Sequence, residues 1–335
     1  MEHMLQAVAA AESVRGLTRP NPPVGAVIVD AAGNLAGTGA TQAPPGPHAE
    51  VMALRSAGDR AWGGTAFVTL EPCNHYGRTP PCSKTLLDAG IAKVVYAVSD
   101  PNPTASGGAD FLRANGVEVV GGVGVDEVEQ GPLRAWLHRQ RTGRAHVTWK
   151  TATSLDGRIA AADGSSQWIT GEAARAEVHR ERAKLDAIVV GTGTVLADNP
   201  SLTARNPDGS LATHQPLRVV VGTREIPSNS RVLDDAAETL WLRTRDPHEV
   251  VAALADYPDV LVEGGAVLAG AFFKAHLVDR ILAYLAPVVL GDGPAAVIGA
   301  GVDNIGSAHR FVRESVEQVG PDIRLSLVPL TGEGN

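Results

Sequence analysis

Thr69-Leu-Glu-Pro-Cys-Asn-His-Tyr-Gly-Arg-Thr-Pro-Pro-Cys82 holds both cysteines of the chain, and His48-Ala-Glu50 stands a short way upstream. One imidazole and two thiolates offer Zn²⁺ three ligands and leave the fourth tetrahedral position to water, whereas a structural zinc is closed by four protein ligands. The metal lowers the pKa of that water, and a carboxylate that is not itself a ligand can then carry protons from it to a leaving group. Glu50, two residues past His48, is placed for this role. Each residue alone has a plainer explanation, His48 as an ordinary polar histidine and either cysteine as a small buried side chain. The combination reads as a catalytic metal site.

His-x-Glu followed by Pro-Cys is also the signature of zinc deaminases, apart from the gap between Cys73 and Cys82, which is eight residues here and shorter in the general C-x-x-C pattern. With both cysteines assigned to metal no disulfide framework remains, as expected in a reducing compartment. The N-terminal Met1-Glu-His-Met-Leu lacks a basic leader and no apolar run is long enough to span a bilayer, so a cytoplasmic protein is expected. The 335 residues suffice for two domains. A net charge of −8 opposes a phosphate-backbone binder, so neither nucleic acid nor membrane is an expected partner.

Outward from the metal segments, residues 4–17 read as a helix, the proline-rich 19–25 as a loop, and 24–29 and 35–40 as strands around a Gly-Asn turn. His48 opens a helix through 54, 66–70 is a buried strand, and Pro72 suits the first turn of a helix, placing both metal segments at helix starts. A strand at 93–98, a further helix and strand ending near 120, and a helix at about 126–140 complete this half. The polar Arg141-Thr-Gly-Arg144 marks a boundary, giving domains 1–143 and 144–335; the arginines around it read as a solvated face. The second half repeats short apolar strands, at 146–152, 187–190, 217–221, 239–242, 260–262 and 281–285, with helices at 172–184 and 266–275, an α/β pattern with a largely parallel sheet. Glycine-bearing turns follow two of these strands, at 190–198 and 262–270. Each is a weak phosphate-binding signal by itself, since a strand-to-helix turn with glycine is usually just a turn.

Beyond these local readings, Arg19-Pro-Asn-Pro-Pro-Val-Gly25, Pro47-His-Ala-Glu50 and the 69–82 segment resemble the deaminase half of the bifunctional riboflavin-biosynthesis deaminase/reductases. Lys150-Thr-Ala-Thr-Ser-Leu-Asp-Gly-Arg158, Ser166-Gln-Trp-Ile-Thr170, Gly193-Thr-Val-Leu-Ala-Asp-Asn-Pro-Ser-Leu-Thr-Ala-Arg205 and Val262-Glu-Gly-Gly265 resemble their reductase half. The resemblance spans nearly the whole chain, and the eight-residue cysteine gap is this family's own. It implies a cytidine-deaminase-like α/β/α domain followed by a dihydrofolate-reductase-like α/β domain. The first would hydrolyse the 2-amino group of 2,5-diamino-6-ribosylamino-4(3H)-pyrimidinone 5′-phosphate, and the second would reduce the ribosyl group to ribityl with NADPH.

By the same resemblance His48, Cys73 and Cys82 hold zinc, Glu50 moves protons, and Asn21, His75 and Arg78 contact the pyrimidine ribotide. Ala152, Trp168, Thr194, Asp198, Thr223 and the turn Gly265, Ala266, Val267, Leu268, Ala269, Gly270, Ala271 match cofactor positions. Ser166, Arg182, Leu202, Arg205 and Glu263 match substrate positions, with Arg182 and Arg205 suited to a sugar phosphate. The chain departs from the family at Gly222, where an aspartate is common, and at Thr223, where serine is usual. The expected partner is a small pyrimidine ribotide, handled by a homo-oligomer. Two alternatives stay open: a reductase whose zinc domain serves folding only, and a nucleic-acid-editing deaminase.

Overall fold

The computed structural model describes residues 1–76 and 80–330, and its chain divides into two compact units, Met1–Gly143 and Arg144–Asn335. In the first, α1 (Glu2–Glu12) leads through the proline loop to β1 (Gly25–Val29) and β2 (Leu35–Ala40), followed by α2 (Ala49–Ala57) and β3 (Thr65–Leu70). Then come α3 (Cys82–Asp88), β4 (Lys93–Val98), α4 (Gly108–Ala114), β5 (Glu118–Val120), α5 (Val125–Glu129) and α6 (Arg134–Thr142). The sheet order is β2-β1-β3-β4-β5, with β1 antiparallel to both neighbours and β3, β4 and β5 parallel. Every residue of β1 is buried, as a central strand covered on both faces requires.

Small residues bring the helices down onto strand backbone. A Cβ on Gly39 of β2 would lie 2.3 Å from the Ala53 amide nitrogen of α2, so only glycine allows this approach. Because α2 begins right after His48, that contact also sets the height of the metal segment. Two expectations fail here. The helix expected at 126–140 is broken into α5 and α6, because Pro132 lacks an N–H and cannot continue a helix. Pro72 does not open a helix either: Cys73 lies in irregular backbone, and the helix begins only at Cys82.

The second unit comprises β6 (His146–Thr153), α7 (Glu172–Arg182), β7 (Ala187–Gly191), α8 (Thr192–Asp198), β8 (Leu217–Val221), β9 (Thr239–Leu242) and α9 (Pro247–Ala253). It ends with β10 (Asp259–Glu263), α10 (Ala266–Lys274), β11 (Arg280–Leu285), β12 (Phe311–Val319) and β13 (Asp322–Pro329). The eight-stranded order is β12-β13-β11-β6-β10-β7-β8-β9. Strands β11 through β9 in that order are mutually parallel, and the β12–β13 hairpin adds antiparallel pairs at one edge. Val147, Val189, Val219 and Val262 form the apolar centre and are fully buried. Arg218 of β8 is buried with them. Its guanidinium donates to Asp234 Oδ1 at 2.7 Å and to several carbonyls, Ser201 O and Arg231 O among them, fastening the loops on either side of β8. No helix among the described residues is long and apolar enough to cross a membrane.

Candidate active sites

Three elements meet at the metal segment. His48 is the N-cap of α2, Cys73 follows β3, and Cys82 is the first residue of α3. His48 Nδ1 lies 3.3 Å from Cys82 Sγ and 3.7 Å from Cys73 Sγ, and the three ligand atoms all lie within 4.8 Å of one another. Zinc bonded tetrahedrally to sulfur and imidazole nitrogen separates those atoms by about 3.6 Å, so the donors are spaced and chosen for that ion. The cysteines form no disulfide. Two thiols this close share a proton: the Cys82 thiol and then His48 draw Cys73 down to about 4, while Cys73 and burial push Cys82 up. Such a pair is ready to receive a dication.

Glu50, the second residue of α2, is buried beside the thiols, and that burial, reinforced by the Cys73 thiolate, raises its carboxyl to about 7. A carboxyl poised there can take and return a proton near neutral pH. Sequence reading passed over Glu71. Its buried carboxylate accepts from the backbone N–H groups of Asp100 (3.3 Å), Gly107 (3.1 Å) and Ala109 (3.0 Å), tying the 100–109 loop to the segment that carries Cys73. Its position two residues before Cys73 was the available signal. Asp100 is half-buried near Glu71, Cys73 and His75, and burial pushes its carboxyl up. Asn21 sits in the proline loop, where the Thr18 hydroxyl donates to its carbonyl at 2.9 Å. His75 follows Cys73 with Nδ1 buried and without a hydrogen-bond partner among the described residues. Arg78 lies outside the described residues.

In the second unit the carboxyl ends of the parallel strands open into a cleft of about 1510 Å³. Parallel sheets place ligand sites at this edge because the strand-to-helix turns present backbone there. The expected residues of this half line the cleft, except Ala269 and Gly270. Those two lie on the inward side of α10, where a Cβ on Gly270 would lie 1.9 Å from the Ile298 carbonyl oxygen. Gly264 and Gly265, with φ of 96° and 78°, approach the side chain of Thr194 so closely that an added Cβ would meet its Oγ1 at 3.2 and 3.4 Å. Trp168 is exposed at the cleft with the Arg175 guanidinium 4.5 Å from its ring centre.

The floor is an ionic cluster. Arg182 grips Glu263 with both ends of its fork, Nε to Oε1 at 2.9 Å and Nη2 to Oε2 at 2.6 Å, and also donates to Thr203 O. Burial alone would raise Glu263, but Arg182 and the Lys150 ammonium outweigh it and hold the carboxyl at about 2. Lys150 itself is lowered by burial, against the pull of Glu263. With the Arg182 fork taken, the exposed Arg205, which donates from Nη1 to Gly209 O at 2.9 Å, has donors free for a ligand.

Two family matches fit this pair of sites and set the class, a zinc deaminase of the cytidine-deaminase type joined to a dihydrofolate-reductase-like unit. Residues 1–98 match the family described as the cytidine and deoxycytidylate deaminase zinc-binding region, and residues 145–325 match that described as the RibD C-terminal domain. The riboflavin biosynthesis protein RibD of Mycobacterium tuberculosis is 59% identical over 327 residues, which cover 98% of this chain and 96% of that protein. Its Escherichia coli counterpart is 38% identical over 97% of this chain and 98% of its own. Among solved structures, the diaminohydroxyphosphoribosylaminopyrimidine deaminase/5-amino-6-(5-phosphoribosylamino)uracil reductase of Thermotoga maritima superimposes with a TM-score of 0.89 at 32% identity, covering 98% of both chains. The chain belongs to the RibD family, the bifunctional deaminase/reductases of riboflavin biosynthesis.

Proposed function

We propose that the chain deaminates 2,5-diamino-6-ribosylamino-4(3H)-pyrimidinone 5′-phosphate in residues 1–143 and reduces the ribosyl group of the product to ribityl with NADPH in residues 144–335. The observation that carries this reading is Glu50, a buried carboxyl at about 7 beside a three-donor cluster that it does not join. His48, Cys73 and Cys82 would hold zinc, which would supply an open position for acidifying a water. Glu50, buried beside these donors with its carboxyl at about 7, would accept a proton from the attacking water and return protons to the ring nitrogen and the leaving amine. Water and an exocyclic amine thus become a carbonyl and ammonia. Asn21, His75 and Arg78 hold the ring and its phosphate.

In the reductase unit, Ala152, Trp168, Thr194, Asp198, Thr223 and the turn at 265–271 would hold NADPH, which would supply the hydride. Gly264 and Gly265 admit it by keeping the turn free of side chains. Ser166, Leu202 and the Glu263–Arg182 pair orient the sugar, while Arg205 reaches its phosphate. Full-length relatives carrying both units favour two activities over a zinc domain kept for folding, and lend no support to nucleic-acid editing. A cytoplasmic setting fits the free thiols. Exposed apolar side chains such as Val289 and Ile305 are compatible with a homo-oligomer. The deciding experiment combines metal analysis with two assays, ammonia release from the diamino substrate and NADPH oxidation on its deaminated product. Absence of zinc, or ammonia release without NADPH oxidation, would overturn the two-step reading.

A further inference from the structure

One end of the second cleft holds cationic groups to which the family resemblance gives no role. Strands β7, β8 and β9 lie side by side, with Gly191 opposite Val221 and Val221 opposite Leu242, so the residues just beyond them arrive at the same edge. Gly193, Gly222, Thr223, Arg224, Thr244 and Arg245 all line the cleft there. The end of β8 carries no carboxylate. Gly222 has a φ of 133°, and a Cβ at this position would lie 2.5 Å from Thr192 Oγ1, which closes it to any side chain. In parallel sheets that bind dinucleotides, an acid beyond a neighbouring strand accepts from the ribose 2′-hydroxyl, while an arginine nearby accommodates a 2′-phosphate. Here the side chain that reaches back to the β7 turn is Arg224, whose Nη2 would lie 2.6 Å from a Cβ on Gly193.

The surrounding arginines sort by what they already hold. Arg231 donates to Asn199 O at 2.6 Å, and Arg243 pairs with Glu225 while stacking on Trp241 at 4.1 Å. That pair also neutralises the carboxylate adjacent to Arg224. Arg224 and Arg245 themselves have no ion pair or hydrogen bond among the described residues. Exposed arginines are commonly just solvated. Two unpaired ones lining this end of a nucleotide-sized cleft, where the neighbouring carboxylate of Glu225 is already taken by Arg243, have a more specific use.

We propose that Arg224, assisted by Arg245 and the Thr223 hydroxyl, seats the 2′-phosphate on the adenosine side of the cofactor and so makes this reductase select NADPH over NADH. The inference rests on the dinucleotide reading of the cleft. It is tested by equilibrium binding of NADPH and of NADH to the full chain, followed by calorimetry, for the parent protein, Arg224→Ala, Arg224→Lys and Arg245→Ala. Arg224→Ala should weaken NADPH roughly 10- to 100-fold while NADH changes by less than about twofold, the loss of one charge-assisted phosphate contact. Arg224→Lys should fall between, and Arg245→Ala should show a smaller loss confined to NADPH. Unchanged NADPH affinity in Arg224→Ala, or equal losses for both nucleotides, would overturn the seat. A parent protein that binds NADH as tightly as NADPH would also overturn it while sparing the dinucleotide reading; binding neither would remove both.

Discussion

Glu50 and Glu263 are both buried carboxylates, and their surroundings drive them in opposite directions. Burial and the Cys73 thiolate raise Glu50 to about 7, whereas Arg182 and Lys150 outweigh burial at Glu263 and hold it at about 2. Glu50→Gln should therefore keep zinc, leave reduction of deaminated substrate unchanged, and lower ammonia release by about 10²–10⁴-fold or more, the usual contribution of a general acid/base. Loss of zinc in that variant would make Glu50 a structural residue. Glu263 gives a pH signature. Its folded pKa lies below the unfolded value of about 4.3, so its stabilisation is present above that pH and is lost as pH falls from there through about 2. Urea unfolding of the second unit should weaken across that window, and Glu263→Gln should flatten the slope while destabilising the unit at neutral pH by about 3–5 kcal/mol, since Arg182 and Lys150 lose their counter-charge. Arg205→Ala should lower kcat/KM for the sugar phosphate by roughly 10- to 150-fold and barely alter NADPH binding. A selective loss of NADPH affinity would assign Arg205 to the cofactor.

At the scale of elements, the metal site depends on how α2 and α3 are seated. Gly39 lets α2 rest on β2, and the added methyl of Gly39→Ala would drive into the Ala53 amide. That variant should lose about 1–3 kcal/mol, the cost of overpacking, and zinc occupancy should fall with it because His48 caps the displaced helix. Normal zinc content at normal stability would show the contact to be slack. The β3 strand and the start of α2 were legible from the apolar run at 66–70 and from the residues after His48. The conformation at Cys73 was not, because proline at a helix start and proline in a loop look alike until Glu71 is seen gathering the 100–109 backbone. The β12–β13 hairpin also escaped the periodicity argument. Its strands, Phe-Val-Arg-Glu-Ser-Val-Glu-Gln-Val and Asp-Ile-Arg-Leu-Ser-Leu-Val-Pro, mix charge into both faces, and Arg324 pairing with Glu177 and Glu317 satisfies charges that local pattern alone would send to solvent.

Over the whole molecule, each unit has its own sheet and its own apolar core. A fragment beginning at Arg144 should accordingly fold and reduce deaminated substrate, and insoluble protein from several nearby start points would mean that the halves need each other. Chelation should destabilise only the first unit, read as a shift of one thermal transition with the other unmoved, because metal binding is coupled to folding where the ligands lie. The chain by itself determined the two-part α/β organisation and the family, and it singled out the residues proposed as ligand triad and shuttle carboxylate, since these reside in residue types at short spacing and in runs of apolar residues. Only the tertiary structure decided that Arg182 is taken by Glu263, that Glu71 anchors the loop beside Cys73, and that Arg224 and Arg245 share an edge with the β7 turn. Those facts are contacts between residues tens of positions apart, brought together by strand order, which no local pattern in the sequence encodes.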